Sequence, residues 1–152
     1  MAHRYVHRDI VQFSDTDMAG IAHFSNFFRF MERSEHAFFR SLGLSIVERS
    51  AQSIEANPMG WPRVHASADF FSPLHFEDEV EVELLIEEIR TRAIRYLFRV
   101  RKLDGALAAE GHITAVCVRK DAKSGGMKSV EIPGRIRTLI EAAPAEMLQR
   151  PA

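Results

Sequence analysis

Cysteine is almost missing from the 152 residues, and the single one, Cys117, excludes an intrachain disulfide framework and a cysteine-based zinc site. That scarcity suits a reducing compartment, and a cytoplasmic protein is expected. Long apolar runs are missing too. No stretch approaches the roughly 20 residues that a membrane-spanning helix needs, so no membrane partner is expected. The opening Met1-Ala2-His3-Arg4-Tyr5 has no apolar core of a secretory signal. Neither sign of charge dominates: 20 Lys and Arg stand against 21 Asp and Glu, a net charge of −1. Such a balance argues against a nucleic-acid partner held by phosphate neutralisation. No Gly-x-Ser-x-Gly elbow and no His-Glu-x-x-His motif occurs, so neither a serine hydrolase nor a metal site is expected. Internal repeats and low-complexity stretches are absent.

What remains is 46% hydrophobic and 27% charged, the composition of a globular protein with a real core. Length and evenness predict one domain over residues 1–152. Loop-rich composition is confined to Ser50–Pro62, Asp121–Ser129 and the end from Pro144, which is expected to fray. Arg4 to Phe13 reads as a strand. A helix follows, capped by Ser25 or Asn26, with Phe27, Met31, Ser34, Phe38 and Leu42 recurring at spacings of three and four. Gly43 supplies its stop. At 1.5 Å per residue this helix spans roughly 25 Å, enough to cross a sheet. Its stripe alternates large Phe and Met with small Ser and Ala, which predicts close packing.

The second half reads as strands. Val64, Ala66, Ala68 and Phe70 alternate with polar residues. A hairpin about Thr91 sets Val82 on Val100, Leu84 on Phe98 and Ile86 on Tyr96. The same register sets Glu81 on Arg101, Glu83 on Arg99 and Glu87 on Arg95, so charge and apolarity agree. Asp104-Gly105 predicts a two-residue turn with positive φ at both positions. Beyond it Ala109, Gly111, Ile113, Ala115 and Cys117 share the helix-facing side. These side chains are mostly small, and Cys117 reads as a small buried residue. The order predicts an α+β domain, a long helix against an antiparallel sheet of about five strands.

Packing does not explain Phe13 to Asn26. This stretch sets Asp15, Asp17, Gly20 and His23 just ahead of a helix N-terminus, whose unpaired N–H groups and partial positive charge suit a developing oxyanion. A carboxylate there could attack a carbonyl or activate water. The same residues also read as a turn whose side chains bond nearby backbone, and such turns are commoner than catalytic ones. Spacing alone leaves both open.

The segment Val11 to Leu44 resembles the N-terminal signature of the 4-hydroxybenzoyl-CoA thioesterase family of hotdog-fold proteins. The matching residues are Asp15, Asp17, Gly20, Ile21-Ala22, His23-Phe24, Asn26, Phe27, Glu32 and Ser41-Leu42-Gly43-Leu44. Likeness continues through Asp69 to Pro73, Phe76 to Glu79, Asp104-Gly105 and Ala109-Glu110-Gly111. It implies a hotdog fold and hydrolysis of an acyl-CoA thioester to the acid and free coenzyme A, with no metal or redox cofactor. It implies Asp17 as nucleophile or general base, Gly20 as the turn glycine, and the Phe24 backbone N–H as the group that polarises the carbonyl. Asn26 belongs to the same motif and is expected near the substrate. Arg90 and Arg92, at the long hairpin tip, match basic residues that hold coenzyme A phosphates in some members; a solvated turn explains them equally. Many bacterial members carry Tyr-His where this chain has His23-Phe24, so the imidazole stands one position early. The resemblance also implies a homodimer or homotetramer and an acyl-CoA substrate, with an acyl-carrier protein as another thioester source. Two rivals are a hotdog dehydratase or hydratase using His23, and a non-catalytic acyl-CoA or acyl-carrier binding module.

Overall fold

A computed structural model describes residues 1–47 and 58–151. Among the described residues, eight strands and three α-helices follow in order. They are β1 (Arg4–Ile10), α1 (Phe24–Ser41), β2 (Met59–Gly60), β3 (Arg63–Phe70), β4 (Glu79–Ile89), β5 (Ala93–Lys102), β6 (Leu107–Val116), β7 (Val118–Lys120), β8 (Met127–Ser129), α2 (Gly134–Arg137) and α3 (Ala145–Leu148). Five strands form an antiparallel sheet in the order β1-β4-β5-β6-β3, and β2-β7-β8 form a small second sheet. Of the loop expected over Ser50–Pro62, residues 50–57 lie outside those described, and Met59–Gly60 is strand β2.

The hairpin register is the expected one from Glu81–Arg101 to Ile86–Tyr96. Past Ile86 a bulge moves Arg95 opposite Glu88 instead of Glu87. The ion pair with Glu87 nevertheless forms, because the Arg95 side chain reaches back to donate to its carboxylate at 2.7 Å. The Asp104-Gly105 turn also differs. Lys102 and Ala106 close a three-residue loop in which Gly105 has φ +90° and Asp104 does not share it. A type I turn followed by a left-handed glycine needs positive φ at one residue only.

Helix α1 lies across the inner face of the sheet. Val80, Val82, Leu84 and Ile86 of β4 and Tyr96, Phe98 and Val100 of β5 are fully buried beneath it. Phe27, Phe30, Met31, Ala37, Phe38 and Phe39 bury the helix side, each large side chain contributing about 1.5–3 kcal/mol. Small residues set the separation. Ser34 donates its hydroxyl to the Val82 carbonyl at 3.1 Å. At Gly111 a Cβ would stand 2.7 Å from both the Met31 methyl and the Ser67 carbonyl, so only glycine fits. The helix ends in a paired 6→1 and 5→2 closure: Leu44 N–H reaches the Phe39 carbonyl, Gly43 N–H the Arg40 carbonyl, and Gly43 has φ +76°.

Periodicity did not mark Glu35 as core. It is 1% exposed on α1 and forms a two-pronged ion pair with Arg63 at the start of β3. Burial pushes the Glu35 carboxyl above its ordinary value, against the opposing pull of Arg63. The Tyr96 hydroxyl is buried near this pair, and burial pushes its phenol well up.

The C-terminal end does not fray. Ala143, Met147 and Leu148 cover Leu85 and Leu97, the apolar members of an otherwise charged outer sheet face. Arg99, 3% exposed, donates to the carbonyls of Met147 and Gln149 at 2.9 and 2.8 Å. Two leucines and a buried guanidinium on the far side of the sheet hold the segment, contacts that its own composition does not reveal.

Candidate active site

The loop between β1 and α1 is built around Asp15. Its carboxylate accepts from the Gln12 N–H at 2.8 Å, and its carbonyl accepts from the His23 N–H and the Asn26 side-chain amide, both at 2.8 Å. Asp15 is therefore buried and structural, while Asp17 is exposed two residues on. From there the chain makes a tight hairpin. Asp17 N–H donates to the Ile21 carbonyl at 3.0 Å, Gly20 N–H donates to the Asp17 carbonyl at 2.9 Å, and Gly20 has φ +80°. A side chain at Gly20 would have space but would be strained by that φ. Asp17 Oδ1 accepts from Ala19 N–H at 2.9 Å. Its Oδ2 accepts no hydrogen bond from the described residues.

Helix α1 begins at Phe24, earlier than a Ser25 or Asn26 cap would start it, because His23 is the cap. The imidazole Nδ1 accepts from Ser25 N–H at 3.4 Å and lies 2.8 Å from the Ser25 hydroxyl. Asn26 N–H is taken by the His23 carbonyl at 2.9 Å. The Phe24 N–H is left with no acceptor among the described residues, as the first turn of a helix allows. Ala22 N–H donates to the Leu74 carbonyl at 2.7 Å and so draws the segment after β3 against the helix start.

An open pocket of about 550 Å³ results, lined by Asp17, Ile21, Ala22, Phe24, Phe27 and the run Phe70 to Pro73. Phe27 and Phe70 meet edge to face with centroids 5.1 Å apart. Asp17 also borders a second depression, of about 560 Å³, with Phe13, Met18 and Phe76. Asp17 thus borders two apolar concavities, one of which Phe24 at the helix start also lines.

Of the expected site residues, Asp17, Gly20 and Phe24 come together at this loop. Asn26 points its amide to the Asp15 carbonyl, holding the loop rather than lining the pocket. The His23 ring is likewise engaged as a cap, beside Phe24 at 4.4 Å. Trp61 packs on Phe39 at 5.9 Å in the core and does not line the pocket. Arg90 and Arg92 lie at the other end of β4, whose 11 residues at ~3.3 Å each separate them from the Asp17 loop by roughly 35 Å. Arg90 pairs with Glu88 at 3.0 Å there. The aromatic wall Phe70-Phe71 was visible only as part of the resemblance; its alternation reads as ordinary strand. One His-x-x-x-His spacing does occur, His3 and His7, but along an extended strand it spans about 13 Å, where a helix would set the rings together. The two rings face Glu141 and Asp9.

Known proteins share this fold. The family model described as "Thioesterase-like superfamily" matches residues 11–148. A 1,4-dihydroxy-2-naphthoyl-CoA hydrolase of Prochlorococcus marinus is 33% identical over 97 residues, 62% of this chain and 64% of that protein. The structure of a gentisyl-coenzyme A thioesterase superposes with a TM-score of 0.73 at 28% identity, covering 88% of this chain and 99% of that one. The 4-hydroxybenzoyl-CoA thioesterase of Pseudomonas sp. strain CBS-3 shares the fold, with a TM-score of 0.78 at 21% identity over 91% of this chain and all of that one. The chain belongs to the thioesterase-like superfamily, a family of hotdog-fold thioester hydrolases.

Proposed function

We propose that the chain hydrolyses acyl-CoA thioesters carrying a bulky, aromatic acyl group. The observation that carries this reading is the meeting of Asp17, with one carboxylate oxygen unbonded, and the unpaired Phe24 N–H at a single aromatic-lined pocket. The acyl group packs among Phe24, Phe27, Phe70 and Phe71, and the thioester carbonyl accepts from the Phe24 N–H. Charge developing on that oxygen is stabilised by the N–H and by the partial positive charge of the helix end. Asp17 then acts in one of two ways. As nucleophile it adds to the carbonyl carbon, the C–S bond breaks, the thiolate leaves, and water cleaves the resulting anhydride. As general base it takes a proton from water, whose oxygen adds to the carbonyl before the thiolate leaves. Either way the products are the acid and the coenzyme A thiol, and no metal or redox cofactor is needed.

A dehydratase would need an imidazole at the reacting centre. None of the lining residues is a histidine, and the His23 ring is engaged as a helix cap. Thiol release from acetyl-, palmitoyl- and benzoyl-CoA tests the proposal, with the highest kcat/KM expected for benzoyl-CoA. Release from none of the three would overturn it in favour of a binding module.

The pocket is open on one side, and among the described residues β3 beside it pairs with β6 alone. Val64 is 64% exposed on this edge, and Phe70 at the strand's end and Phe71 after it are each 46% exposed. An unpaired edge carrying apolar side chains invites strand pairing with a second copy. We therefore place a homodimer across β3, with further pairing to a tetramer as the resemblance implies. Sedimentation should give at least twice the 17.3 kDa chain mass, reduced by Val64→Glu. A wild-type monomer would refute this arrangement.

A further inference from the structure

Arg150 joins the C-terminal segment to the pocket. Arg99 fixes the Met147 and Gln149 carbonyls on the outer sheet face, so the residue that follows starts from a defined place. From there the Arg150 guanidinium spreads over the Phe71 ring, with Cζ 4.8 Å from its centroid. Its Nε donates to Glu110 at 3.1 Å and its Nη2 lies 3.3 Å from Asp69. Three contacts in three directions orient a flat cation above one face of the ring. Phe71 lines the pocket that Asp17 borders, and it is 46% exposed with no other aromatic partner among the described residues. Without the guanidinium, the ring would have open solvent behind it.

We infer that Arg150 is a positioning residue: it holds Phe71 as a fixed wall of the acyl pocket, so that the C-terminal segment takes part in acyl-group selection. The inference rests on the thioesterase reading for its substrate and on the geometry alone for the contact. A planar acyl group that packs on Phe71 needs the ring held in one orientation, whereas a two-carbon acyl group does not reach far enough to feel it. Removal of Arg150 is tolerable for the fold. Glu110 keeps the 3.0 Å bond from Arg99, so no buried carboxylate is stranded.

The test compares Arg150→Ala and Arg150→Lys with wild type on benzoyl-CoA and acetyl-CoA, together with deuterium uptake in the peptide covering residues 69–74. In Arg150→Ala the ratio of kcat/KM for benzoyl-CoA to that for acetyl-CoA should fall by roughly two- to fivefold, the strength of one exposed cation–π contact. The loss should fall on KM, since the carbonyl chemistry at Asp17 is untouched. Arg150→Lys keeps the charge near Asp69 and Glu110 but not the flat face, and should lie between. Uptake at residues 69–74 should rise in Arg150→Ala. An unchanged selectivity ratio, or equal losses on both substrates, would overturn the inference. Should wild type release thiol from neither substrate, the thioesterase reading fails separately. Uptake then decides the contact: a rise supports Arg150 as the holder of Phe71, and no change overturns it.

Discussion

Asp17→Asn should lower kcat/KM for thioester hydrolysis by about a hundredfold or more while leaving the melting temperature unchanged. The size follows from what removal of a positioned base or nucleophile costs, typically 10²–10⁴. The unchanged stability follows from the local geometry. Asparagine has the shape of aspartate, and its carbonyl oxygen can still accept the Ala19 N–H that Asp17 Oδ1 accepts now. The hairpin is otherwise made by main-chain bonds from Asp17 to Ile21 and Gly20. Only the negative charge and the basic oxygen are lost. The effect should fall on kcat, because the four aromatic side chains proposed to receive the acyl group are untouched. Equal thiol release from both proteins would remove Asp17 from the chemistry. Loss of activity together with loss of fold would contradict the structural argument for the loop.

Arg63→Ala should be the most damaging substitution for stability, costing about 3–5 kcal/mol, as breaking a buried ion pair from one side does. Glu35 is 1% exposed and its two carboxylate oxygens are held by the two ends of the Arg63 guanidinium. Without that cation the carboxylate stays in an apolar setting between α1 and the sheet, beside the buried Tyr96 hydroxyl. His36 lies 3.8 Å from it and would be the nearest cation if protonated. For a domain of this size, such a loss is a large share of the whole stability. The sign of the pH dependence is a second check. Burial already raises the Glu35 carboxyl and Arg63 opposes the rise, so removing Arg63 raises it further. The folded variant then binds a proton more tightly than the unfolded chain, and its deficit should shrink as pH falls through that raised value. Replacing both partners with apolar residues of similar volume should restore most of the loss. Denaturant unfolding of the single and double variants at two pH values measures all of this. A single variant as stable as wild type would show that the pair is not what holds α1 to β3.

Much of this architecture was legible in the residues. The Glu81–Arg101 to Ile86–Tyr96 register followed from two independent patterns, charge and apolarity, that had to agree in one alignment. The close approach of α1 followed from small residues on both surfaces, and Gly111 against Met31 shows it. Period-based reading failed where a polar residue carries the packing. Glu35 lies on the buried side of α1 but scores as surface, because its partner Arg63 is 28 positions away. The end from Pro144 read as fraying because Leu85, Leu97 and Arg99, which hold it, belong to the far side of the sheet.

The chain of amino acids alone determined the long helix, the strands of the larger sheet, the β4–β5 register and the motif that names the family. Those depend on neighbours in sequence or on one hairpin, where alternation, turn glycines and helix spacing act locally. Tertiary structure decided the division of labour within the motif. It engaged Asp15, His23 and Asn26 in the hydrogen bonds that build the loop and the helix cap, and left Asp17 and Phe24 at the pocket. It also brought Arg150 onto Phe71. Which of several similar polar side chains meets water, backbone or another side chain depends on long-range packing and burial, and no local pattern encodes that.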